Sequence, residues 1–184
     1  MFSPHSTTFS YPETDLQKSM DYSIQKIRSE MDDPKILRWA LIVLLGNLES
    51  YQPSKLPLSA EQMLEKHAYI EILAVLQKYR THPDFVSHTT KILSILAIHS
   101  SPPHLRALCH CLPSTTFPAL ILELLFTAPR KPPETKHYLR DILKYLFKST
   151  FDLTLILQSN YYHLDPIYRE MVCSGCPLDK EIIL

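Results

Sequence analysis

The most constraining feature of the sequence is one pattern of apolar segments that is written twice. Residues 68–77 form an apolar stretch, a proline-containing turn follows, and an amphipathic stretch at 83–100 completes the unit. The same order begins again at Phe117, 49 positions after Ala68. Apolar residues in these stretches recur at intervals of three and four, the period of an α-helix. The self-similarity predicts stacked helical repeats, because one such unit cannot bury its apolar face alone.

The composition favours an all-α fold. The chain has 184 residues, of which 45% are hydrophobic, so it is long enough to bury a core as a single domain. It contains only two glycines but fifteen prolines. Glycine usually supplies the positive φ of β-hairpin turns, whereas proline is tolerated at the first position of a helix. The chain is therefore predicted to consist of helices opened by prolines.

The predicted elements form one domain, residues 12–184, after an N-terminal tail at 1–11. A further copy of the unit's last helix spans 34–50, with Asp33 as its N-cap, and its apolar surface runs nearly all round, so we expect it to be central. Ser59, with Gln62 in the capping-box position, predicts the start of a short helix. The predicted helices are 12–31, 34–50, 59–67, 68–77, 83–100, 104–111, 117–126, one following the turn at 131–133 and reaching 149, 151–158 and 166–172.

Units of three helices, with a short first helix and a proline-bounded third, resemble the armadillo repeat over residues 34–158. In that family the third helix ends in a Leu-x-Asn-Leu-Ala-like sequence, which residues 45–49, Leu-Gly-Asn-Leu-Glu, match. The family's glycine at the corner between the first two helices is replaced here, with Ala68 and Phe117 near that place. The resemblance implies a right-handed α–α superhelix of about three armadillo-like repeats with extra terminal helices. A HEAT-like or other α–α superhelix fits the pattern as well.

The resemblance also implies a role in binding other macromolecules. Armadillo proteins bind extended peptides through a ladder of asparagines, and Asn47 stands at the matching position. Ile95 and Tyr145 occupy the other two matching positions, so a full ladder is not expected. The alternative role for Asn47 is an amide at a helix end or in helix packing.

A basic stripe is predicted on the last helix of the final unit. Its members are spaced four residues apart and therefore share one slowly drifting face: Lys136, Arg140, Lys144 and Lys148. We expect this stripe, with Tyr138 and Tyr145 as aromatic anchors, to bind an acidic or extended segment of a partner protein. The alternative is a solvated helix face. Residues 13–33 carry six acidic and three basic side chains. Self-association between oppositely charged ends of the molecule is therefore a further expectation.

Two close pairs of cysteines raise the alternative of a zinc-stabilised subunit. They are Cys109 with Cys111 and Cys173 with Cys176, and the second pair has the spacing of zinc ligands. Residues two apart on a helix point in nearly opposite directions, which favours buried or incidental thiols over a metal site.

No motif for catalysis or for a cofactor was found, and none is predicted. The chain has only two glycines, which are too few to form a glycine-rich phosphate loop. A formal net charge of zero disfavours a protein built chiefly to hold nucleic acid, although a nucleic-acid-associated repeat subunit remains an alternative. No segment has the length and apolarity of a membrane span, and the N-terminus lacks the features of a secretory signal. These patterns predict a non-catalytic adaptor or assembly subunit in the cytoplasm or nucleus.

Overall fold

Helices are the only regular elements in the part of the chain that the structure describes. The computed structural model describes residues 13–51, 56–110, 112, 116–127 and 132–149, and at 13–14, 56–59, 126–127, 144 and 147–149 it describes the backbone alone. The helices are α1 Glu13–Ser29, α2 Pro34–Ser50, α3 Leu56–Glu65, α4 Ala68–Lys78, α5 Pro83–Ile98, α6 Pro102–His110, α7 Phe117–Thr127 and α8 Pro133–Ser149. The all-α prediction is thus confirmed for these residues. The predicted tail at 1–11 and the helices at 151–158 and 166–172 lie outside them.

Most predicted helix starts agree with the structure, and the start of α3 is the clearest exception. Asp33 caps α2 as predicted, because its carboxylate accepts hydrogen bonds from the backbone N–H groups of Lys35 and Ile36 at 2.9 and 3.2 Å. The helix α3, however, begins at Leu56, so the predicted N-cap Ser59 lies inside it and that prediction is wrong. Pro57 falls in the first turn, where the backbone N–H that proline lacks has no helical partner to lose.

Three helical hairpins account for most of the packing. The helix α1 packs against α2, α4 against α5, and α7 against α8. Between hairpins, α1 contacts α4, α2 contacts α5, and α5 contacts α8. The short helix α3 packs on α4 and α5, and α6 packs on α7 and α8. The hairpins therefore contact one another in the order in which they occur along the chain.

The central helix is α5, and the prediction that residues 34–50 would be central is wrong. The helix α5 touches α2, α3, α4 and α8, and nine of its residues are buried, including Ile92 and Leu93 at 0% exposure. The helix α2 instead leaves Trp39 and Ile42 each 47% exposed. The reason is positional: α1 and α5 cover its leucine face, and no described helix covers the opposite face.

Ion pairs fix the register between α1 and α4. The charges lie on α1 with the turn after it, and on α4 with the turn before it. Their signs alternate along each segment, and the residue numbers increase together, so the two helices run parallel. The pairs are Asp21 with Lys66 at 2.7 Å, Arg28 with Glu71 at 2.7 Å, and Asp32 with Lys78. Exposed pairs contribute little free energy, typically about 0.2–1 kcal/mol each. Their main effect is to oppose a slip of one helix along the other, since a slip would bring like charges together.

The bridge between α1 and α4 has a counterpart one hairpin further on. Arg28 and Glu71 are 43 residues apart, and so are Arg80 and Glu123, which join the end of α4 to α7 at 3.2 Å. In both bridges an arginine near the end of one hairpin's first helix pairs with a glutamate in the next hairpin's first helix. The first helices of successive hairpins are thus joined by the same kind of bridge.

The corner between α3 and α4 is made by a histidine in a left-handed conformation. His67 has φ 55° and ψ 25°, and its ring Nδ1 lies 3.2 Å from the hydroxyl oxygen of Tyr69. The armadillo-like pattern expects glycine at such a corner, because a Cβ is strained at positive φ. The corner residue is His67, one position before the expected Ala68.

Replacement of His67 tests this strain. We expect His67→Gly to raise the free energy of unfolding by up to about 1 kcal/mol and His67→Val to lower it by roughly 1–2 kcal/mol. The control His67→Asn, which tolerates the left-handed region, should stay within about 0.5 kcal/mol. Urea denaturation measures all three. Equal stability of the Gly and Val variants would contradict the strained corner.

Thr135 is a buried hydroxyl without a hydrogen bond in the described part of the chain. It is 0% exposed and lies in the first turn of α8. Two other buried threonines, Thr89 and Thr90 on α5, donate to the carbonyl oxygens of Phe85 and Val86, each at 2.6 Å. An unpaired buried polar group costs about 1–3 kcal/mol.

Removal of that hydroxyl is expected to stabilise the protein. Thr135→Val keeps the shape of the side chain and should raise the free energy of unfolding by about 1 kcal/mol, a rise of roughly 2–4 °C in melting temperature. The matched variant Thr90→Val loses a satisfied hydrogen bond and should give no such gain. A destabilised Thr135→Val protein would show that the hydroxyl has a favourable partner.

His99, which follows α5, predicts a pH dependence of stability. Burial lowers its pKa below the ordinary value of 6.5. Well above pH 6.5 the ring is neutral in both the folded and the unfolded state, so it contributes no pH dependence. Below it the unfolded chain binds a proton that the folded protein resists, so stability falls as pH falls. We expect His99→Gln to reduce the loss of stability between about pH 7.5 and 5.5, measured by urea denaturation. An unchanged slope would contradict it.

Candidate functional site

The basic stripe predicted on the last unit lies on α8. That helix turns Leu139, Leu143 and Leu146 into the core. Lys136 is half-buried at the edge of this apolar face, and Arg140, one turn later, is exposed. Lys144 and Lys148 continue the same spacing along the backbone of α8, but their side chains lie outside the described residues.

The two described members of the stripe differ from most of the basic side chains that the structure describes, although Lys18, Lys35 and Arg106 also have no ion pair there. Neither Lys136 nor Arg140 has an ion pair within the described residues. Basic side chains elsewhere are largely engaged in ion pairs: Lys26, Arg28, Arg38, Lys66, Lys78, Arg80 and Lys91. The nearby Asp141 pairs with His137 at 3.2 Å. Lys136 and Arg140 therefore present positive charge that their described surroundings do not neutralise.

The two predicted aromatic anchors lie on the other flank of α8. A step of two residues turns a helix by about 200°, so Tyr138 points away from Lys136. The Nζ of Lys91 on α5 lies 5.8 Å from the centre of the Tyr138 ring, which is a cation–π contact. Tyr145 is partly buried and packs against the core. Both tyrosines thus have intramolecular contacts, and their role in partner binding stays a prediction.

Lys91 connects three helices, and this role was not expected from the sequence. Its ammonium group forms an ion pair with Glu49 of α2 and lies over Tyr138 of α8. The hydrogen bond to the Glu49 carboxylate is the main reason that the pKa of Lys91 is raised above its usual value. These contacts join residues far apart in sequence, so no local spacing indicates them.

Asn47 lies at the interface between α1 and α2. It is half-buried, and its side-chain N–H donates to the hydroxyl oxygen of Ser19 at 2.8 Å. This is the helix-packing role that the sequence left open as the alternative. A contact between Asn47 and a partner protein stays a prediction.

Of the four cysteines, only Cys109 falls among the described residues. It lies on α6, is 0% exposed and is packed with Leu105 and Leu108 in the core. Cys111, Cys173 and Cys176 lie outside the described part, so the zinc alternative stays untested. Within that part, no group of histidine, cysteine and acidic side chains has a metal-binding arrangement.

A shallow, open depression lies at the turn between α1 and α2. Ser29, Glu30, Pro34 and Lys35 line it together with two aspartates. One of these, Asp33, caps α2, and the other, Asp32, forms an ion pair with Lys78. Both carboxylates therefore have structural partners, and the depression shows no arrangement of groups for acid–base chemistry.

Comparisons with family models, with curated proteins and with solved structures found no match to this chain. The armadillo-like resemblance therefore continues to depend on the sequence pattern. Among the described helices, none has the length and apolarity needed to cross a membrane.

The hydrogen bond between Asn47 and Ser19 predicts a measurable coupling. We expect Ser19→Ala and Asn47→Ala each to lower the free energy of unfolding by about 0.5–1.5 kcal/mol. If the two groups serve each other, the double variant should lose less than the sum of the two single losses. Additive losses in urea denaturation would show that Asn47 acts independently of Ser19.

Proposed function

We propose that this chain is a non-catalytic protein-interaction subunit, an adaptor or assembly component that acts in the cytoplasm or nucleus. Its helical hairpins would form an armadillo-like superhelix, and the basic stripe of α8 would bind an acidic or extended segment of another protein. The observation that carries the proposal is the contrast between Lys136 and Arg140 and the many basic residues that are held in ion pairs.

The packing order supports a stacked superhelix. The first helices of successive hairpins are linked by parallel bridges, Arg28 with Glu71 and Arg80 with Glu123. Their second helices, α2, α5 and α8, contact one another in sequence. A stack of this kind presents a long surface made by one helix from each unit, a shape suited to extended partners.

The electrostatics support an acidic partner. Arg140 is exposed, and Lys136 lies half-buried at the edge of the apolar face. A cluster of like charges attracts an oppositely charged segment and accelerates its association, more strongly at low ionic strength. Arginine also forms paired hydrogen bonds with carboxylates, which a partner rich in Asp or Glu would provide.

Charge reversal tests the proposal. We expect Lys136→Glu with Arg140→Glu to weaken capture of the partner by at least about tenfold, or roughly 1.4 kcal/mol. Affinity purification from native extract with mass spectrometry identifies the partner, and titration of the purified partner measures the loss. Circular dichroism should show an unchanged helical signal.

The matched control reverses one lysine and one arginine on other helices. Lys18 on α1 and Arg106 on α6 are exposed, so Lys18→Glu with Arg106→Glu changes the net charge by the same amount. This variant should keep the partner. Retention by the α8 variant, or equal loss from both, would contradict binding at the stripe.

The nucleic-acid alternative has a separate readout. A labelled single-stranded RNA and a DNA duplex, titrated at low and moderate salt, should show no binding that depends on Lys136 and Arg140. Binding that falls steeply with salt and disappears in the α8 variant would replace the protein partner with a nucleic acid, since such salt dependence reflects neutralised phosphates.

A further inference from the structure

The outward face of α2 carries a regular stripe that the folded chain leaves uncovered among its described residues. Its members are Lys35, Trp39, Ile42, Gly46 and Glu49, spaced alternately by four and three residues, and we refer to them as the α2 seam. Trp39 and Ile42 are each 47% exposed. A Cβ built on Gly46 would meet nothing within 4 Å, so the backbone there is open to a neighbour.

The spacing of the α2 seam is that of a helix that packs along another helix. Alternating steps of four and three keep residues in line along a partner helix. Tyr22 of α1 widens the apolar centre, because it is 51% exposed and its ring centre lies 6.2 Å from that of Trp39. An apolar centre with a polar rim is the usual anatomy of a protein interface.

The α2 seam is also complementary to itself when reversed. Lys35 and Glu49 lie at equal distances before and after Ile42, and the side chain of Glu49 stays 47% exposed despite its pairing with Lys91. Trp39 and Gly46 are likewise nearly equidistant from Ile42. In an antiparallel pair of identical helices, Lys35 therefore faces Glu49 of the other copy, and the largest side chain faces the residue that has none. A parallel pair would instead oppose like charges and two tryptophans.

We propose that the α2 seam binds a second copy of this chain in a two-fold symmetric, antiparallel helix pair. Ile42 lies at the axis, Trp39 of each copy packs over Gly46 of the other, and Lys35 of each pairs with Glu49 of the other. The contact is isologous, so it closes at two copies. Lys91 joins Glu49 of the α2 seam to Tyr138 of α8, but Lys136 and Arg140 are not members of the seam, so the two proposed contacts use different residues.

Trp39 provides an internal reporter, because it is the single tryptophan of the chain. Sedimentation velocity over protein concentrations from roughly 1 to 100 µM, the range in which a micromolar dimer populates, should show conversion of monomer to dimer. Over the same range, quenching of Trp39 fluorescence by acrylamide should decrease, because the ring becomes covered.

A substitution at the axis should abolish the dimer. Ile42→Glu places two carboxylates next to each other in the pair and is expected to leave a folded monomer. Ile70→Glu is the matched control, because Ile70 is an isoleucine on α4 that is 44% exposed and lies outside the α2 seam. It should dimerise like the original chain, and so should the Lys136→Glu, Arg140→Glu variant.

A charge swap tests the antiparallel register. Lys35→Glu and Glu49→Lys should each weaken self-association, because each brings like charges together at both ends of the pair. Mixing the two variants should restore a dimer, since every contact then joins opposite charges. Restoration also shows that both variants are folded, which excludes misfolding as the cause of the loss.

Four results would overturn the proposal. If the chain stays monomeric and Trp39 stays accessible to acrylamide, the α2 seam does not bind a second copy, and a different partner would have to cover it. A monomer with Trp39 protected from acrylamide would mean that other residues of the same chain cover the face. A dimer that survives Ile42→Glu, or variants that fail to pair when mixed, would place self-association on another surface or in another register.

Discussion

Burial of α5 is the interaction on which the rest of the structure depends. The helix α5 contacts α4 within its own hairpin, the short helix α3, and α2 and α8 in the neighbouring hairpins, so one helix closes four interfaces. Fully buried side chains such as Ile92, Leu93 and Leu96 each contribute about 1.5–3 kcal/mol relative to exposure. Thr89 and Thr90 are accommodated there because their hydroxyls bond to the preceding turn of the same helix. Without α5 the outer hairpins would share no common core.

Ion pairs between neighbouring helices favour one alignment of the hairpins. The bridges between α1 and α4 oppose slippage of one helix along the other at little net gain in free energy, and one bridge joins the end of α4 to α7. Lys91 of α5 likewise joins helices, through an ion pair with Glu49 of α2 and a cation–π contact with Tyr138 of α8. Within the described residues, Lys136 and Arg140 are not engaged in this way, and they are not members of the α2 seam, so the two proposed contacts use different residues. One face would bind an acidic partner, and the α2 seam would bind another copy.

Several features of the fold followed from local sequence. The helices α4 and α7 were predicted from their apolar runs, α2 and α5 from the prolines that open them, and the cap of α2 from Asp33. The predicted start of α3 and the predicted corner before α4 were wrong by a few residues. Ser59 had good cap chemistry, yet Pro57 in the first turn of the helix allowed α3 to start earlier. The corner at His67 was not expected from the sequence, because the pattern placed it near Ala68 and glycine is the residue that usually occupies positive φ.

The sequence by itself determined that the chain forms paired helices, since the period of apolar residues and the prolines and caps that bound each helix are local properties. It also determined the spacing of the basic stripe along α8. Only the tertiary structure decided that α5 rather than α2 is central, that Asn47 bonds to Ser19, and that Tyr138 contacts Lys91. The physical reason is that an apolar stripe predicts that one face of a helix will be buried, but it does not predict which other helix will cover that face. That choice depends on the combined packing and charge pairing of segments distant in sequence, which also leaves Trp39 and Ile42 exposed.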